Sequence, residues 1–251
     1  MIARPDEDGG PRMTLGEHLE ELRRRLLYAG AGLVVAMGAA LVFGRELLAL
    51  LRRPFDQAVC QMGRPAELAV LSVNEGLATF LRVGLYAGLV AAAPWIFLQL
   101  WLFVGAGLLP REKRYVRLAV PASAVLFLGG AAFFLFVVAV PILKFLLGFS
   151  DWLGLTTVVT VENHVRFMTT MMVVFGLAFQ TPLAVMLLAK MGLVSTAGLN
   201  RYRRHVIVGV LVVAAVITPP DPFSQVALAL PMWGLYELGV LLAWLTTRRR
   251  D

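Results

Sequence analysis

Apolar residues along this chain gather into long runs separated by short polar segments, and strand-like alternation is absent. Six runs stand out, at residues 26–44, 76–103, 118–141, 165–189, 206–218 and 223–245. A helix needs about 20 apolar residues to cross a hydrocarbon core of about 30 Å. The pattern therefore predicts an all-α fold, a polytopic membrane protein with six transmembrane helices of which the last two are short. At about 1.5 Å per residue the fifth run reaches only about 20 Å. It must thin the bilayer around it, or its following turn, Pro219-Pro220-Asp221-Pro222, must sit below the surface.

The segments between the runs carry their own pattern. Thr14-Leu15-Gly16-Glu17 has the spacing of a capping box, and Leu15, Leu19, Leu22 and Leu26 then recur at helical intervals. An amphipathic helix thus leads into the first span. In the loop after that span, the Leu-rich stretch 47–51 reads as a surface helix stopped by Pro54. Residues 144–164 mix Phe145, Phe149 and Trp152 with polar residues, the composition of an interfacial cap. Pro94, inside the second run, is expected to kink it. The layout is a disordered tail over 1–12, one membrane domain over 13–247 and a basic tail over 248–251.

Composition supports this picture. Of 251 residues, 59% are hydrophobic and only 16% charged, with a mean hydropathy of +0.77, against about 25% charged in soluble domains. The charge is also unevenly placed. With the N-terminus inside and six spans, sixteen of the 23 Lys and Arg fall in the inner segments 1–25, 111–117, 190–204 and 248–250. That bias predicts that both termini are cytoplasmic. It also accounts for the net charge of +7 without nucleic acid as a partner, since no stacking or recognition-helix pattern accompanies the basic clusters. Arg23 to Arg25 ahead of an apolar run resemble the start of a secretory leader. The length of that run and the five that follow read instead as a first span.

Candidate chemistry is sparse. Cys60 is the single cysteine, so there is no internal disulfide and no CxxC site. GxSxG, HExxH and GxxxxGK[ST] are all missing, and His18, His164 and His205 fall at different span ends. No enzyme, no metal and no cofactor is expected. Ser123 has no evident base, and Gly84-x-x-x-Gly88 reads as a helix-packing motif. What remains are carboxylates among excess cations: Glu20 and Glu21 ahead of Arg23-Arg24-Arg25, and Glu112 within the basic segment 111–117. Taken singly each could be a solvated surface residue, with Glu21 and Arg25 an ordinary i,i+4 pair.

In order along the chain, four motifs resemble the TatC family, the multispanning receptor subunit of the twin-arginine protein translocase. They are His18-Leu19-Glu20-Glu21-Leu22-Arg23-Arg24-Arg25-Leu26, Pro94 through Trp101-Leu102-Phe103, Leu108-Leu109-Pro110-Arg111-Glu112-Lys113-Arg114, and Thr218-Pro219-Pro220-Asp221-Pro222-Phe223-Ser224-Gln225. The resemblance spans about 14–244. It implies a cupped, glove-shaped arrangement of six helices that binds twin-arginine signal peptides of folded cargo at the cytoplasmic face. It further implies a bacterial or archaeal cell (inner) membrane location, recruitment of single-span TatA- and TatB-type partners, self-association in a receptor complex, contact with membrane lipid, and export driven by the proton-motive force without nucleotide.

Carried over residue by residue, the resemblance assigns signal-peptide binding to Glu21, Arg23, Phe103, Leu108 and Glu112. It assigns partner-helix contacts to Gln180, Thr218 and Gln225, and structural or translocation roles to Pro54 and Asp221. The carboxylate roles make chemical sense, because a guanidinium presents a planar donor fork to a carboxylate. Two departures stand out. Ala106 occupies a position where family members commonly have proline, and Gln180, ahead of Pro182, stands where many have glutamate. An amide there can hydrogen-bond without the penalty of a buried charge, and it could equally do no more than tie down a carbonyl freed by Pro182. The alternative function is a small-solute secondary transporter, for which Arg82 and Gln180 are the weak midplane candidates.

Overall fold

Helices form wherever the apolar runs predict them, because a chain shielded from water must satisfy every backbone N–H and C=O within its own segment. The structure, a computed structural model, describes residues 15–107, 113–217 and 222–247. The elements are α1 (Leu15–Val42), α2 (Gly44–Gln61), α3 (Glu75–Ala106), α4 (Lys113–Phe133), a π-helical turn (Phe134–Val138), α5 (Ala139–Trp152), α6 (Val161–Ala178), α7 (Thr181–Lys190), α8 (Thr196–Arg201), α9 (Arg203–Ile217) and α10 (Pro222–Thr247). Extended pairing among the described residues is limited to one parallel bridge between Ala69 and Thr160.

Among the described residues, five continuous stretches are long and apolar enough to cross a membrane: Gly16–Val42, Glu75–Ala106, Arg117–Trp152, Val161–Lys190 and Pro222–Leu245. The sixth apolar helix, α9, has 15 residues, about 22 Å, which matches the short fifth run. The last span, Pro222–Leu245, has 24 residues and is the shortest of the five; the helix that carries it, α10, runs for 26 residues, and Pro231 lies inside it without ending it.

Three boundaries differ from the sequence reading. Pro54 does not stop α2, which continues to Gln61. Phe55, Ala58 and Val59 beyond the proline are buried on the same side as Leu51, and that burial outweighs the loss of one helical hydrogen bond. The third span does not end near residue 141; the π-helical turn widens the helix just before Pro141, and α5 carries it on to Trp152. The fourth begins at Val161 and breaks at Phe179–Gln180, where Pro182 occupies the first turn of α7. The capping-box residue Thr14 lies outside the described residues.

The largest core cluster joins α2, the π-helical turn, α5 and α6. Phe55, Phe134, Ile142, Met168 and Phe175 are at its centre, with Val83, Ala214 and Leu228 reaching in from α3, α9 and α10. A second cluster sets Val185 and Ala189 of α7 against Tyr236, Val240 and Ala243 of α10 and Leu199 of α8. Helix α1 stands apart from both and packs mainly along α3. Its outward side leaves Leu26, Leu27, Val34, Val35 and Val42 more than 60% exposed, a surface suited to lipid rather than water.

Candidate functional site at the α1–α3 end

Helices α1 and α3 run antiparallel, and their seam changes character along its length. Toward the end of α1 it is close-packed. A Cβ on Gly88 would lie 2.6 Å from Met37 Cα, and one on Gly32 would collide with the Trp95 indole. The Gly84-x-x-x-Gly88 motif is thus a packing contact, with Gly84 facing Leu41. Toward the start of α1 the seam turns polar. Trp95 Nε1 donates to the Tyr28 carbonyl at 2.8 Å, Arg25 Nη1 donates to Gln99 Oε1 at 3.1 Å, and the His18 ring stacks on Phe103 with centroids 4.5 Å apart. Residues 18, 21, 25, 28 and 32 share this seam because they recur at the three- and four-residue spacing of one helical face.

Glu21 is the centre of the charged end. Its Oε1 accepts from Arg25 Nε at 2.7 Å and its Oε2 from Arg24 Nη2. The carboxylate is held by two guanidiniums of its own helix, and its side chain is only 11% exposed. Arg23 points outward on the same turn and is exposed. The structure therefore brings Glu21, Arg23 and Phe103 to one end of the α1–α3 pair. Leu108 and Glu112 lie outside the described residues.

Gln180 sits at the α6–α7 break. Its Nε2 donates to the Ser123 carbonyl of α4 at 3.0 Å and to the Gly176 carbonyl at 3.4 Å. The second acceptor is available because the Gln180 backbone N–H bonds Leu177 O, one residue short of the helical position. Ser123 Oγ in turn accepts from Trp101 Nε1 at 2.7 Å. Trp101, Ser123 and Gln180 thus join α3, α4 and the break. Gln225 lies elsewhere: its Nε2 donates to Leu211 O at 3.1 Å, tying the start of α10 to α9. Thr218 and Asp221 lie outside the described residues.

The opposite end is organised by backbone groups. Glu75, 5% exposed, accepts from the N–H groups of Leu71 at 2.6 Å and Ser72 at 3.3 Å through Oε2, and from Glu162 N at 3.2 Å through Oε1. One carboxylate so closes the 62–74 loop onto the start of α6. His164 Nε2 meets Leu51 O at 2.9 Å beside the buried Pro54, and Arg82 pairs with Glu162 at 2.9 Å. Phe145, Phe149, Trp152 and Phe223 form a chain of ring contacts, with 4.1 Å between Phe145 and Phe223.

Gln99 and Glu75 did not stand out in the sequence, and Trp101, which did as part of a motif, carried no expected partner. Gln99 was readable in principle, as a lone amide inside an apolar run, but its partner lies 74 residues away. No group of three His, Cys, Asp or Glu among the described residues could hold a metal ion.

Comparison with known proteins agrees with this arrangement. Residues 17–231 match the family described as Sec-independent protein translocase protein (TatC). The chain is 37% identical over 240 residues to the protein of that name from Azotobacter chroococcum mcd 1, covering 96% of this chain and 92% of that one. It is 34% identical over 229 residues to the one from Helicobacter pylori strain J99, covering 91% and 88%. A crystal structure of the twin arginine translocase receptor TatC superposes with a TM-score of 0.79 at 33% identity, over 92% of this chain and all of that one. The chain belongs to the TatC family of Sec-independent protein translocase proteins.

Proposed function

We propose that this chain is the receptor subunit of a twin-arginine translocase and that the α1–α3 end is where it takes the paired arginines of a signal peptide. The observation that carries the reading is Glu21, a carboxylate at an exposed helix end that already binds guanidinium on both oxygens. A cargo arginine offers the same chemistry, and charge-assisted bonds of this kind contribute about 1.5–3 kcal/mol each. Phe103, stacked on His18, and Arg23 border it, and Leu108 and Glu112 complete it on the TatC resemblance. The peptide's apolar segment then lies against exposed span surfaces. Export of folded cargo draws on the proton-motive force, with TatA- and TatB-type single-span proteins recruited through Gln180, Thr218 and Gln225, and Pro54 and Asp221 in structural or translocation roles.

In this reading the α1–α3 end is cytoplasmic, as are both termini. Crosslinking of a twin-arginine signal peptide tests the site: Glu21→Arg is expected to reduce it at least tenfold while leaving the protein inserted, and unchanged crosslinking would refute the assignment. In a Cys60→Ala background, a cysteine at the fully exposed Val73 should react with an impermeant thiol reagent applied outside, and one at Gly16 should not.

A further inference from the structure

Glu21 is not an open carboxylate, and its two resident partners are not equivalent. Arg25, 21% exposed in its side chain, is anchored twice: Nε on Glu21 and Nη1 on Gln99, itself buried in α3. Moving Arg25 would leave a buried amide oxygen without its donor. Arg24 is 56% exposed, and Glu21 is its only ion-pair partner among the described residues. The two are consecutive arginines on one helical turn, so they present to Glu21 the same pair of groups that a twin-arginine peptide carries.

We propose that Arg24 is a resident competitor at this site: a cargo arginine reaches Glu21 Oε2 by displacing the Arg24 guanidinium, while Arg25 stays in place and holds the carboxylate oriented. The proposal rests on reading the α1–α3 end as the signal-peptide site. Binding is then an exchange of one guanidinium for another, and the carboxylate is never left bare. A lysine arriving at Glu21 must displace a planar donor fork with a single ammonium, which matches a carboxylate less well. An exposed i,i+3 pair of this kind competes weakly, enough to lower peptide affinity by about twofold to fivefold. Such a modest competitor sets a threshold for cargo without closing the site.

The test is binding of a synthetic peptide, with an Arg-Arg pair ahead of an apolar segment, to the full-length protein in lipid nanodiscs. Arg24→Gln is expected to bind about twofold to fivefold more tightly than wild type. Arg117→Gln removes an equal charge from an exposed position of α4 that forms no ion pair with Glu21, whose partners are Arg24 and Arg25, and is expected to change affinity by less than that. In a Glu21→Gln background, Arg24→Gln should give no gain, because the competition runs through that carboxylate. Unchanged or weaker binding by a folded Arg24→Gln protein overturns the competitor role, as does an equal gain from Arg117→Gln, which would reduce the effect to net charge. Absence of binding in both wild type and Arg24→Gln overturns the receptor reading and the proposal with it.

Discussion

Glu21 and Glu75 are carboxylates at opposite ends of the α1–α3 pair, and they are satisfied in different ways. Glu75 accepts from three backbone N–H groups, donors fixed in place by the loop and helix that carry them. Glu21 accepts from two guanidiniums, donors on long side chains, one of which is mostly in solvent. A carboxylate bound by backbone is part of the architecture, since releasing it lets go of the loop and the helix start to which the three amides belong. A carboxylate bound by side chains can change partners at small cost. One end of the molecule is thereby locked and the other left exchangeable, which is what the proposed signal-peptide site needs.

The largest expected effect breaks the locked end. Glu75→Ala removes the acceptor of the Leu71, Ser72 and Glu162 amides together and frees the 62–74 loop from α6. It is expected to lower the Tm of the purified protein by several degrees, whereas Glu21→Ala should move it far less. Equal losses from the two substitutions, measured by thermal unfolding in one detergent, would abolish the contrast.

The next sharpens the difference within the exchangeable end. Gln99→Leu removes the acceptor that anchors Arg25 to α3 while keeping a side chain of similar size. Arg25 should then resemble Arg24 and compete freely for Glu21, at a stability cost of about 1 kcal/mol. Peptide affinity is expected to fall a few fold, with the loss relieved when Arg25→Gln is added. Wild-type affinity in Gln99→Leu would show that Arg25 needs no anchor.

These contrasts also show what the sequence could and could not tell. The spans were legible because membrane helices are built from runs of about 20 apolar residues, and the shortness of α9 was a matter of counting. The continuation of α2 past Pro54 was not, because a local rule about proline was overridden by burial of Phe55, Ala58 and Val59, which depends on α5 and α6. Glu21 and Phe103 were marked through the family resemblance, yet nothing local showed that His18 stacks on Phe103 or that Arg25 reaches Gln99. Those contacts depend on the antiparallel register of α1 against α3. Glu75 drew no attention, since its farthest donor, the Glu162 amide, lies 87 residues away.

The smallest effect concerns Gln180, which combines features of both ends: a side-chain donor whose partners, like those of Glu75, are backbone groups. Its Nε2 serves the Ser123 and Gly176 carbonyls, so a contact to a partner's helix must use Oε1. Gln180→Leu loses both donor bonds and is expected to destabilise the protein by about 0.6–1.7 kcal/mol, with weaker crosslinking to a partner helix if Oε1 also serves there. Gln180→Glu is the more discriminating change. Protonated, the acid can donate one O–H to the Ser123 carbonyl; ionised, it faces two carbonyl oxygens with no donor. The variant should therefore approach wild-type stability at low pH, where the acid can donate, and be less stable at high pH, where it cannot. Unfolding measured across that range checks the sign. A Gln180→Glu protein as stable at high pH as at low would mean that the carboxylate finds a donor at the α6–α7 break that glutamine does not use.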